Sequence, residues 1–386
     1  MENFFAQCPR GLSGVLANEL IACGAVEPIA SEAGVAFKGD LLVAYRANLH
    51  SRVASRVLWQ VAAFPYVNEH EIYDTALLLP WPSWFDVACT IKVEISANKS
   101  PVKSLDFTTL RIKDAVCDKF REQIGSRPSV ATREPDVRIH AHLEEKDAAL
   151  YLDLSGEALF KRGLREQTGA APLKKNLAAG IIALSGWKPD EAFLDPMCGS
   201  GTFLIEAAQI ALNIAPGNDG KNRHFAFQKL KNFDEAAWKK MVADARAAEK
   251  PKTLLPIYGS DLYGYALDDA RANLIANDLA DCVRIKQANI LEISAPAESG
   301  VLVTNPPYGE RLGETSDLAE LYPKLGDVLK QKFAGWRAYF FTGDTALPKG
   351  VRLSASKKTP LFNGKLECRL YEYKIIAGSN RKEIKV

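Results

Sequence analysis

The residues best suited to chemistry follow an apolar run, Val-Leu-Val-Thr at residues 301–304. Directly after it come Asn305, Pro306, Pro307 and Tyr308. Such a run is typical of a buried parallel strand, and two successive prolines end its hydrogen bonding and prevent a helix from starting. We therefore expect Asn305 and Tyr308 to lie at the carboxyl end of a strand, where open α/β sheets bind their ligands.

Asn305 and Pro306 together offer two hydrogen-bond acceptors. The side chain of Asn305 carries a carbonyl oxygen, and the carbonyl of Pro306 precedes a proline that has no N–H to donate. Two acceptors side by side suit an exocyclic NH2 group, and the ring of Tyr308 offers a face on which a nucleobase stacks. For a Pro-Pro-Tyr sequence alone, an ordinary turn with a buried tyrosine is the alternative interpretation.

A second candidate site lies upstream, where the apolar residues 192–194 lead into a glycine-containing loop and a helix. This order brings backbone N–H groups and a helix N-terminus to a ligand, and a dinucleotide would also use it. Leu204, however, occupies the place of the third glycine of the dinucleotide fingerprint. The carboxylate of Asp195 would repel a pyrophosphate and attract an ammonium group. Asn-Pro-Pro-Tyr after its apolar strand resembles the catalytic motif of amino-group methyltransferases, and this resemblance implies S-adenosylmethionine (SAM) as the ligand of the loop. The residues that we expect around SAM are Asp195, Pro196, Cys198, Gly199, Gly201 and Thr202.

Two further polar residues end predicted strands downstream. Asp261 ends the run at 255–261, and an acidic residue there suits the two ribose hydroxyls of SAM. Asn289 ends the run at 283–289, where its side chain could hydrogen-bond the adenine amino group. Both residues join the predicted cofactor site.

Composition excludes several classes of protein. The chain has 386 residues, of which 47% are hydrophobic and 25% charged, which predicts a globular protein of two or three domains. Its 7 cysteines form no Cys-x-x-Cys pair, and His140 and His142 have no third ligand nearby, so we expect no disulfide framework and no metal. The chain has neither a signal peptide nor an apolar run of membrane length, so we expect a cytoplasmic protein.

Local charge matters more than the net charge, which is only +2. Residues 1–60 predict a small α+β module, and residues 61–165 show strand, helix, strand, strand order with basic residues before the helix, along it and at the end of the domain. Such residues would hold the phosphates of a nucleic acid. The predicted nucleic-acid contacts are Lys99, Lys103, Arg111, Lys113, Lys161, Arg162 and Arg165.

The order within residues 61–165 resembles the THUMP domain of RNA-modifying enzymes, and Asp153-Leu-Ser-Gly-Glu-Ala-Leu-Phe-Lys-Arg is characteristic of its end. Together with the motifs at 194–202, 258–261 and 305–312, it makes the whole chain similar to the THUMP-containing guanine-N2 RNA methyltransferases. The chain also resembles the N-terminal half of the bifunctional ribosomal RNA large-subunit enzymes. It implies an α/β fold, with a ferredoxin-like module (1–60), a THUMP RNA-binding domain (61–165) and a Rossmann-like class I SAM-dependent methyltransferase domain (166–386).

The resemblance implies that Asn305, Pro306 and Tyr308 are catalytic and that the substrate is the N2 amino group of a guanine in 23S rRNA. Lys175 and Asn289 depart from the family, which usually has glutamate and aspartate there. Three alternatives remain open: a tRNA guanine-N2 methyltransferase, an adenine-N6 DNA methyltransferase, and a non-catalytic RNA-binding factor in ribosome assembly. We also expect the chain to lack the second methyltransferase half of the bifunctional enzymes.

Overall fold

The computed structural model describes residues 1–162, 173–218, 223–306 and 315–376, with only the helical backbone at 315–319. Contacts within the chain divide it into two units. The first comprises Met1–Cys8, Leu16–Lys161 and Asn222–Ala245; the second comprises Pro9–Val15, Arg162–Lys221 and Arg246–Val386. Residues Pro9–Val15 therefore belong to the second unit although the first unit flanks them in sequence, and Asn222–Ala245 belongs to the first unit although the second flanks it.

The strands and helices are numbered in chain order. The strands are β1 (Glu2–Gln7), β2 (Val26–Ala30), β3 (Gly34–Gly39), β4 (Arg56–Pro65), β5 (Ile91–Ala97), β6 (Val137–Leu143), β7 (Asp147–Asp153), β8 (Ala192–Asp195), β9 (Ile257–Asp261), β10 (Arg284–Gln287), β11 (Gly300–Thr304), β12 (Trp336–Thr342), β13 (Lys357–Asn363) and β14 (Leu366–Lys374). The helices are α1 (Ser13–Ala22), α2 (Leu41–His50), α3 (Glu69–Leu78), α4 (Trp81–Trp84), α5 (Leu105–Ile124), α6 (Lys175–Ser185), α7 (Thr202–Ala211), α8 (Glu235–Ala247), α9 (Gly264–Ala276), α10 (Thr315–Lys332) and α11 (Leu347–Gly350).

One seven-stranded sheet, in the order β2-β3-β1-β4-β7-β6-β5, runs through the first unit. Strand β4 pairs antiparallel with β1 on one side and with β7 on the other. It therefore crosses the domain boundary predicted at residue 60, and the division into domains at that residue stays a prediction. Apolar alternation at residues 137–143 and 149–154 predicts two strands joined as a hairpin around residues 144–147, and β6 and β7 form this hairpin.

Helix α5 packs one face on this sheet. Ser104 caps its start by accepting a hydrogen bond from the Phe107 N–H at 3.2 Å. Ile112, Val116 and Phe120 are buried, whereas Leu110 is 53% exposed. Helical spacing in the sequence predicts that Leu110 and Ile124 face inward, and this prediction is wrong for both residues, since Ile124 is 50% exposed. Leu110 stands two positions from Ile112, a rotation of about 200°, and so faces away from the core.

Residues 222–245 add an aromatic cluster to the first unit. Trp238 of α8 is 8% exposed and packs edge-on against Phe227 and Phe225, with ring centroids 5.1 and 5.3 Å apart. Tyr45 of α2 stacks on Phe227 at 4.3 Å. The sequence of residues 234–247 predicts a helix that packs Trp238 into a core, in preference to an RNA-binding role for the basic and aromatic residues around it, and the structure confirms the helix and the buried Trp238.

The sequence Asp153-Leu-Ser-Gly holds strands of the first unit together. The buried carboxylate of Asp153 pairs with Arg56 and accepts the N–H groups of Ser155 and Gly156 at 2.8 and 3.2 Å. Burial raises the pKa of Asp153, and the Arg56 guanidinium opposes the rise. This motif therefore has a structural role in the described part of the chain.

The second unit contains a seven-stranded sheet in the order β10-β9-β8-β11-β12-β14-β13. Strands β10, β9, β8, β11 and β12 are parallel. The family resemblance implies an antiparallel edge formed by a last strand at residues 366–376, and β14 does run antiparallel to β12. Strand β13 extends this edge as a hairpin with β14. The strand order reverses between β8 and β11, so the carboxyl ends of these two strands border the ligand-binding crevice of such a sheet.

Within the part of the chain that the structure describes, no helix has both the length and the apolar character needed to cross a membrane.

Candidate active site

Asp195 ends the fully buried strand β8 and is itself 2% exposed. One carboxylate oxygen accepts the Met197 N–H at 3.2 Å. Burial raises the pKa of Asp195 to about 7, the nearby Asp261 adds to the rise, and the Thr304 hydroxyl and the Met197 N–H oppose it. A cationic ligand group beside this carboxylate would offset the cost of burying its charge.

The loop after Asp195 exposes backbone groups at the start of α7. Gly199 and Gly201 have φ of +50° and +78°, a region that residues with side chains rarely adopt. A Cβ at Gly199 would meet nothing within 4 Å, so there is free space beside the loop at that point. Thr202, the first helical residue, is 8% exposed. The loop therefore has room for a ligand beside the N-terminus of α7.

Asp261, at the end of β9, is hydrogen-bonded to this loop. Its carboxylate accepts the Gly199 N–H at 2.9 Å and the Tyr263 N–H at 3.1 Å. Two residues earlier stands Gly259, where a Cβ would lie 2.4 Å from the side chain of Leu204. The close packing of β9 against α7 thus explains the glycine in Tyr258-Gly-Ser-Asp.

Pro196 and Cys198 lie within the same loop. The Ser260 hydroxyl donates to the Pro196 carbonyl at 3.4 Å, and the Cys198 N–H donates to the Ser260 carbonyl at 2.9 Å. Burial raises the pKa of the Cys198 thiol, which keeps it neutral. The structure places Pro196 and Cys198 within the loop, and their contact with the cofactor stays a prediction.

Asn273 is a supporting residue that sequence reasoning missed. Its amide donates to the Ser200 carbonyl at 3.1 Å, and it is 1% exposed. The signal was present, because Asn273 is a polar residue among the buried Leu267, Ala270 and Leu274 of α9. A polar residue at such a position needs a hydrogen-bond partner.

Asn289 lies just beyond β10, beside the end of β9. The Ala288 N–H donates to the Asp261 carbonyl at 3.0 Å, which continues the pairing of the two strands. The side-chain oxygen of Asn289 accepts the Leu291 N–H at 3.0 Å. An amide oxygen has two lone pairs, so this turn contact leaves acceptor capacity for a ligand.

Asn305 follows β11, all five of whose residues are buried. Among the described residues, its side-chain oxygen has no hydrogen-bond partner, although the atom is buried. Pro306 beside it is buried as well, while Tyr308 lies outside the described residues. A buried acceptor without a partner in the described part of the protein calls for a donor, and a ligand amino group would supply one.

The basic residues predicted to contact RNA in the first unit differ in their surroundings. Lys99 and Lys103 are exposed, and Lys161 is an exposed residue 3.5 Å from Glu157. The Arg111 guanidinium lies over the Tyr73 ring, 3.9 Å from its centroid, and Lys113 is 2.5 Å from Asp114. Arg165 lies outside the described residues. Lys99, Lys103 and Lys161 are therefore the exposed cations among the described residues of this set.

Arg162 is not on the surface, and the prediction that it contacts RNA is wrong on this ground. It is 3% exposed, and its guanidinium lies 2.9 Å from the fully buried carboxylate of Glu206. Lys175, which stands where the family usually has a glutamate, is also buried and donates to the Arg162 carbonyl at 2.6 Å. The pairing of Arg162 with Glu206 spans 44 residues and could not be seen from local charge.

No group of three or more His, Cys, Asp or Glu residues that could hold a metal occurs in the described ranges. His140 and His142 instead share the hydroxyl of Ser96, at 3.1 and 2.9 Å. Their common strand face thus has a structural explanation.

Three family descriptions match the chain. Residues 162–372 match the RMKL-like methyltransferase domain, residues 66–153 the THUMP domain, and residues 3–58 the RlmL ferredoxin-like domain. The predicted succession of a ferredoxin-like module, a THUMP domain and a methyltransferase fold is confirmed.

Relatives cover the whole chain. A "Putative RNA methyltransferase" of Synechocystis sp. is 37% identical over 96% of this chain and 96% of its own length. The ribosomal RNA large subunit methyltransferase K/L of Shewanella sp. is 38% identical over 100% of this chain and 55% of its own length. The chain thus spans about half the length of this K/L relative.

A solved structure bears on the cofactor. SMU.472, described as a putative methyltransferase complexed with SAH, superposes with a TM-score of 0.88 and 32% identity over 98% of this chain and 99% of its own. SAH is the demethylated product of SAM, and the buried Asp195, the free space at Gly199 and the strand-end Asp261 fit the same group. The chain belongs to the RMKL-like methyltransferase family and is a SAM-dependent methyltransferase.

Proposed function

We propose that this enzyme methylates the exocyclic N2 amino group of a guanine in 23S rRNA. The observation that carries the proposal is the buried side-chain oxygen of Asn305, which has no partner among the described residues. It lies at the end of β11, next to the β8 loop where SAM is expected to bind. An acceptor there can hold an amino group in line with a methyl donor.

The residues at the end of β11 would position and activate the amino group. Asn305 and the Pro306 carbonyl each accept one N–H, which draws the nitrogen lone pair out of conjugation with the ring. Tyr308 provides a stacking face for a base flipped out of its helix, at a cost of a few kcal/mol. SAM, when bound, supplies an electrophilic methyl group. Alignment then provides most of the rate enhancement, because the reacting groups are held together.

The cofactor would be held by strand-end residues of the second unit. Asp195 pairs with the SAM ammonium, Asp261 accepts from the ribose hydroxyls, and Asn289 accepts from the adenine amino group. The backbone around Gly199 and Gly201 lets the cofactor approach the N-terminus of α7. Lys175 takes no part, because its ammonium group is buried against the Arg162 carbonyl.

RNA is favoured as the substrate class by the relatives and by the THUMP domain. One relative is named an RNA methyltransferase and another a ribosomal RNA large subunit methyltransferase. The exposed Lys99 and Lys103 suit contact with phosphates. An rRNA substrate would place the enzyme in the cytoplasm. The two acceptors alone do not distinguish the guanine N2 amino group from the adenine N6 amino group.

The experiment is tritiated methyl transfer from SAM to unmodified 23S rRNA, 16S rRNA, tRNA and duplex DNA, followed by nucleoside mass spectrometry. N2-methylguanosine in 23S rRNA alone is the expected result. Label in tRNA would support the methylation reaction but show that tRNA, and not 23S rRNA, is the substrate. 6-Methyladenine in DNA, or no label in any of the four, would overturn the proposal.

A further inference from the structure

Two tyrosines stand on the surface directly after Asp261. Tyr263 is 48% exposed and Tyr265 is 70% exposed. Their ring centroids are 5.4 Å apart with 24° between the planes, so the rings stack in a nearly parallel arrangement. We call this pair the tyrosine platform. Stacking covers one face of each ring and leaves the others for a further flat group.

The exposure of the tyrosine platform distinguishes it from other tyrosines of the second unit. Tyr322, Tyr339 and Tyr373 are all at most 4% exposed, and the Tyr339 hydroxyl donates to the Ser185 carbonyl. Leu262, next to the platform, is also 51% exposed. Apolar surface of this kind in contact with water is unfavourable, and a cluster of it marks a binding site.

The backbone under the tyrosine platform is held firmly. The Tyr263 N–H donates to Asp261, and the Leu262 carbonyl accepts from the Gln287 amide at 3.0 Å. Gly264 and Tyr265 then begin α9. The platform is thus preorganised, which lowers the entropic cost of binding a flat ligand.

The tyrosine platform also lies at the catalytic edge of the sheet. It follows the carboxyl end of β9, and Asn305 follows the carboxyl end of β11, with β8 between them. Parallel strands end at the same edge, and two strand spacings amount to about 10 Å. A nucleotide strand whose target base is at Asn305 can therefore place a neighbouring base on the platform.

We propose that the tyrosine platform stacks an unpaired RNA base that flanks the methylated nucleotide. This inference rests on the proposed function and extends it to a base-binding site in the methyltransferase unit. Aromatic rings stack any base, so the site holds the strand in place without selecting its sequence. The nearby Asp268 is 2.9 Å from Arg271, which reduces its repulsion of a phosphate.

The adenine of SAM has the same chemistry as an RNA base and is the other source of a flat ligand. The contrast in exposure favours RNA. Asp261, which would hold the cofactor ribose, is 9% exposed, whereas Tyr265 is 70% exposed four positions later. A group stacked on Tyr265 reaches the platform from solvent.

The test uses the full chain and a fluorescein-labelled oligoadenylate RNA of about 12 nucleotides, with binding followed by anisotropy at about 0.05 M and about 0.3 M NaCl. Tyr265→Ala and Tyr263→Ala should each weaken binding about tenfold at both salt concentrations, because stacking depends little on salt. Tyr265→Phe keeps the ring and should bind as the wild type does. Lys103→Ala serves as the contrast, since losing a phosphate contact reduces the salt dependence itself.

Calorimetry with SAH tests whether the tyrosine platform stacks an RNA base or the adenine of the cofactor. The proposal expects SAH affinity to stay within about twofold of wild type in the tyrosine variants, since the tenfold loss belongs to RNA. An equal loss of SAH affinity would assign the platform to the cofactor adenine and overturn the inference, as would unchanged RNA binding in both alanine variants. These results are independent of turnover, so a failure of the proposed reaction would be seen separately, as absent methyl transfer by the wild type.

Discussion

The carboxylate of Asp261 accepts a hydrogen bond from the backbone N–H of Gly199 at 2.9 Å. This bond joins the end of β9 to the loop after β8, across 62 residues of chain. The same carboxylate orients Tyr263 through its N–H. One acidic residue therefore shapes the glycine loop and the start of α9 together.

Asp261→Ala should lower the affinity for SAH at least about tenfold, because it removes a charge-assisted hydrogen bond to the loop and the proposed ribose contact. Calorimetry measures this change directly. Asp281→Ala is the matched control, since Asp281 is an exposed acidic residue of the second unit. Equal SAH affinity in the two variants would contradict the role given to Asp261.

Asn305→Ala should reduce kcat by roughly a hundredfold or more, because the amino group loses the acceptor that orients it. The affinity for SAH should remain near that of the wild type, since Asn305 is not among the proposed cofactor contacts. Asn305→Asp keeps an acceptor oxygen and should retain more activity than the alanine variant. Near-normal single-turnover methyl transfer by Asn305→Ala would rule out the proposed mechanism.

The pKa of Asp195, about 7 in the folded protein, predicts a pH dependence of cofactor binding. Only the ionised carboxylate attracts the SAM ammonium, so affinity should rise as the pH increases through about 7. It should fall again only at a pH high enough for the α-amino group of the ligand to lose its proton. Calorimetry with SAH at several pH values between about 6 and about 9 measures this pH dependence. Asp195→Asn should remove the rise near neutral pH, and a wild-type affinity that is constant across this range would contradict the assignment.

Asp195 also affects the stability of the ligand-free protein, and this effect has the opposite pH dependence to cofactor affinity. Its pKa is raised from 3.8 in folding, so the ligand-free protein takes up a proton there as it folds. This contribution is fully present below about pH 4 and is lost as the pH rises through about 7. Asp195→Asn should therefore make the ligand-free protein more stable than the wild type at about pH 8, as measured by urea unfolding.

Arg162 and Glu206 form a buried ion pair, and removing one partner should cost stability. Glu206→Ala leaves the Arg162 charge buried beside Lys175, so the free energy of unfolding should fall by roughly 3–5 kcal/mol. Urea unfolding measures the loss. If Arg162→Ala instead weakened RNA binding at unchanged stability, a surface role for Arg162 would have to be restored.

Local sequence signals placed the strand-end residues well. Apolar runs that end in Asp195, Asp261 and Asn305 predict buried strands, and the glycines and prolines after them show where the chain turns. These positions follow from near neighbours in the sequence, and the structure places all three at the same edge of one sheet. Strands β1, β4 and β13 were not predicted from the sequence.

Local sequence signals could not predict contacts between residues that are far apart in the chain. Helical periodicity predicted that Leu110 of α5 is buried, yet the buried face of this helix carries Ile112 and leaves Leu110 exposed. Local charge assigned Arg162 to RNA, yet Glu206 holds it in the interior. Residues 222–245 lie between methyltransferase motifs in sequence, yet they complete the core of the first unit.

The sequence by itself determined the parallel strands, the residues at their ends, the cofactor class and the family resemblance. Only the tertiary structure decided which charges are accessible, which helix faces are buried, and that Tyr263 and Tyr265 form an exposed stacked pair. The physical reason is that turns and strand ends depend on a few adjacent residues. Burial and ion pairing depend instead on partners brought together from distant parts of the chain.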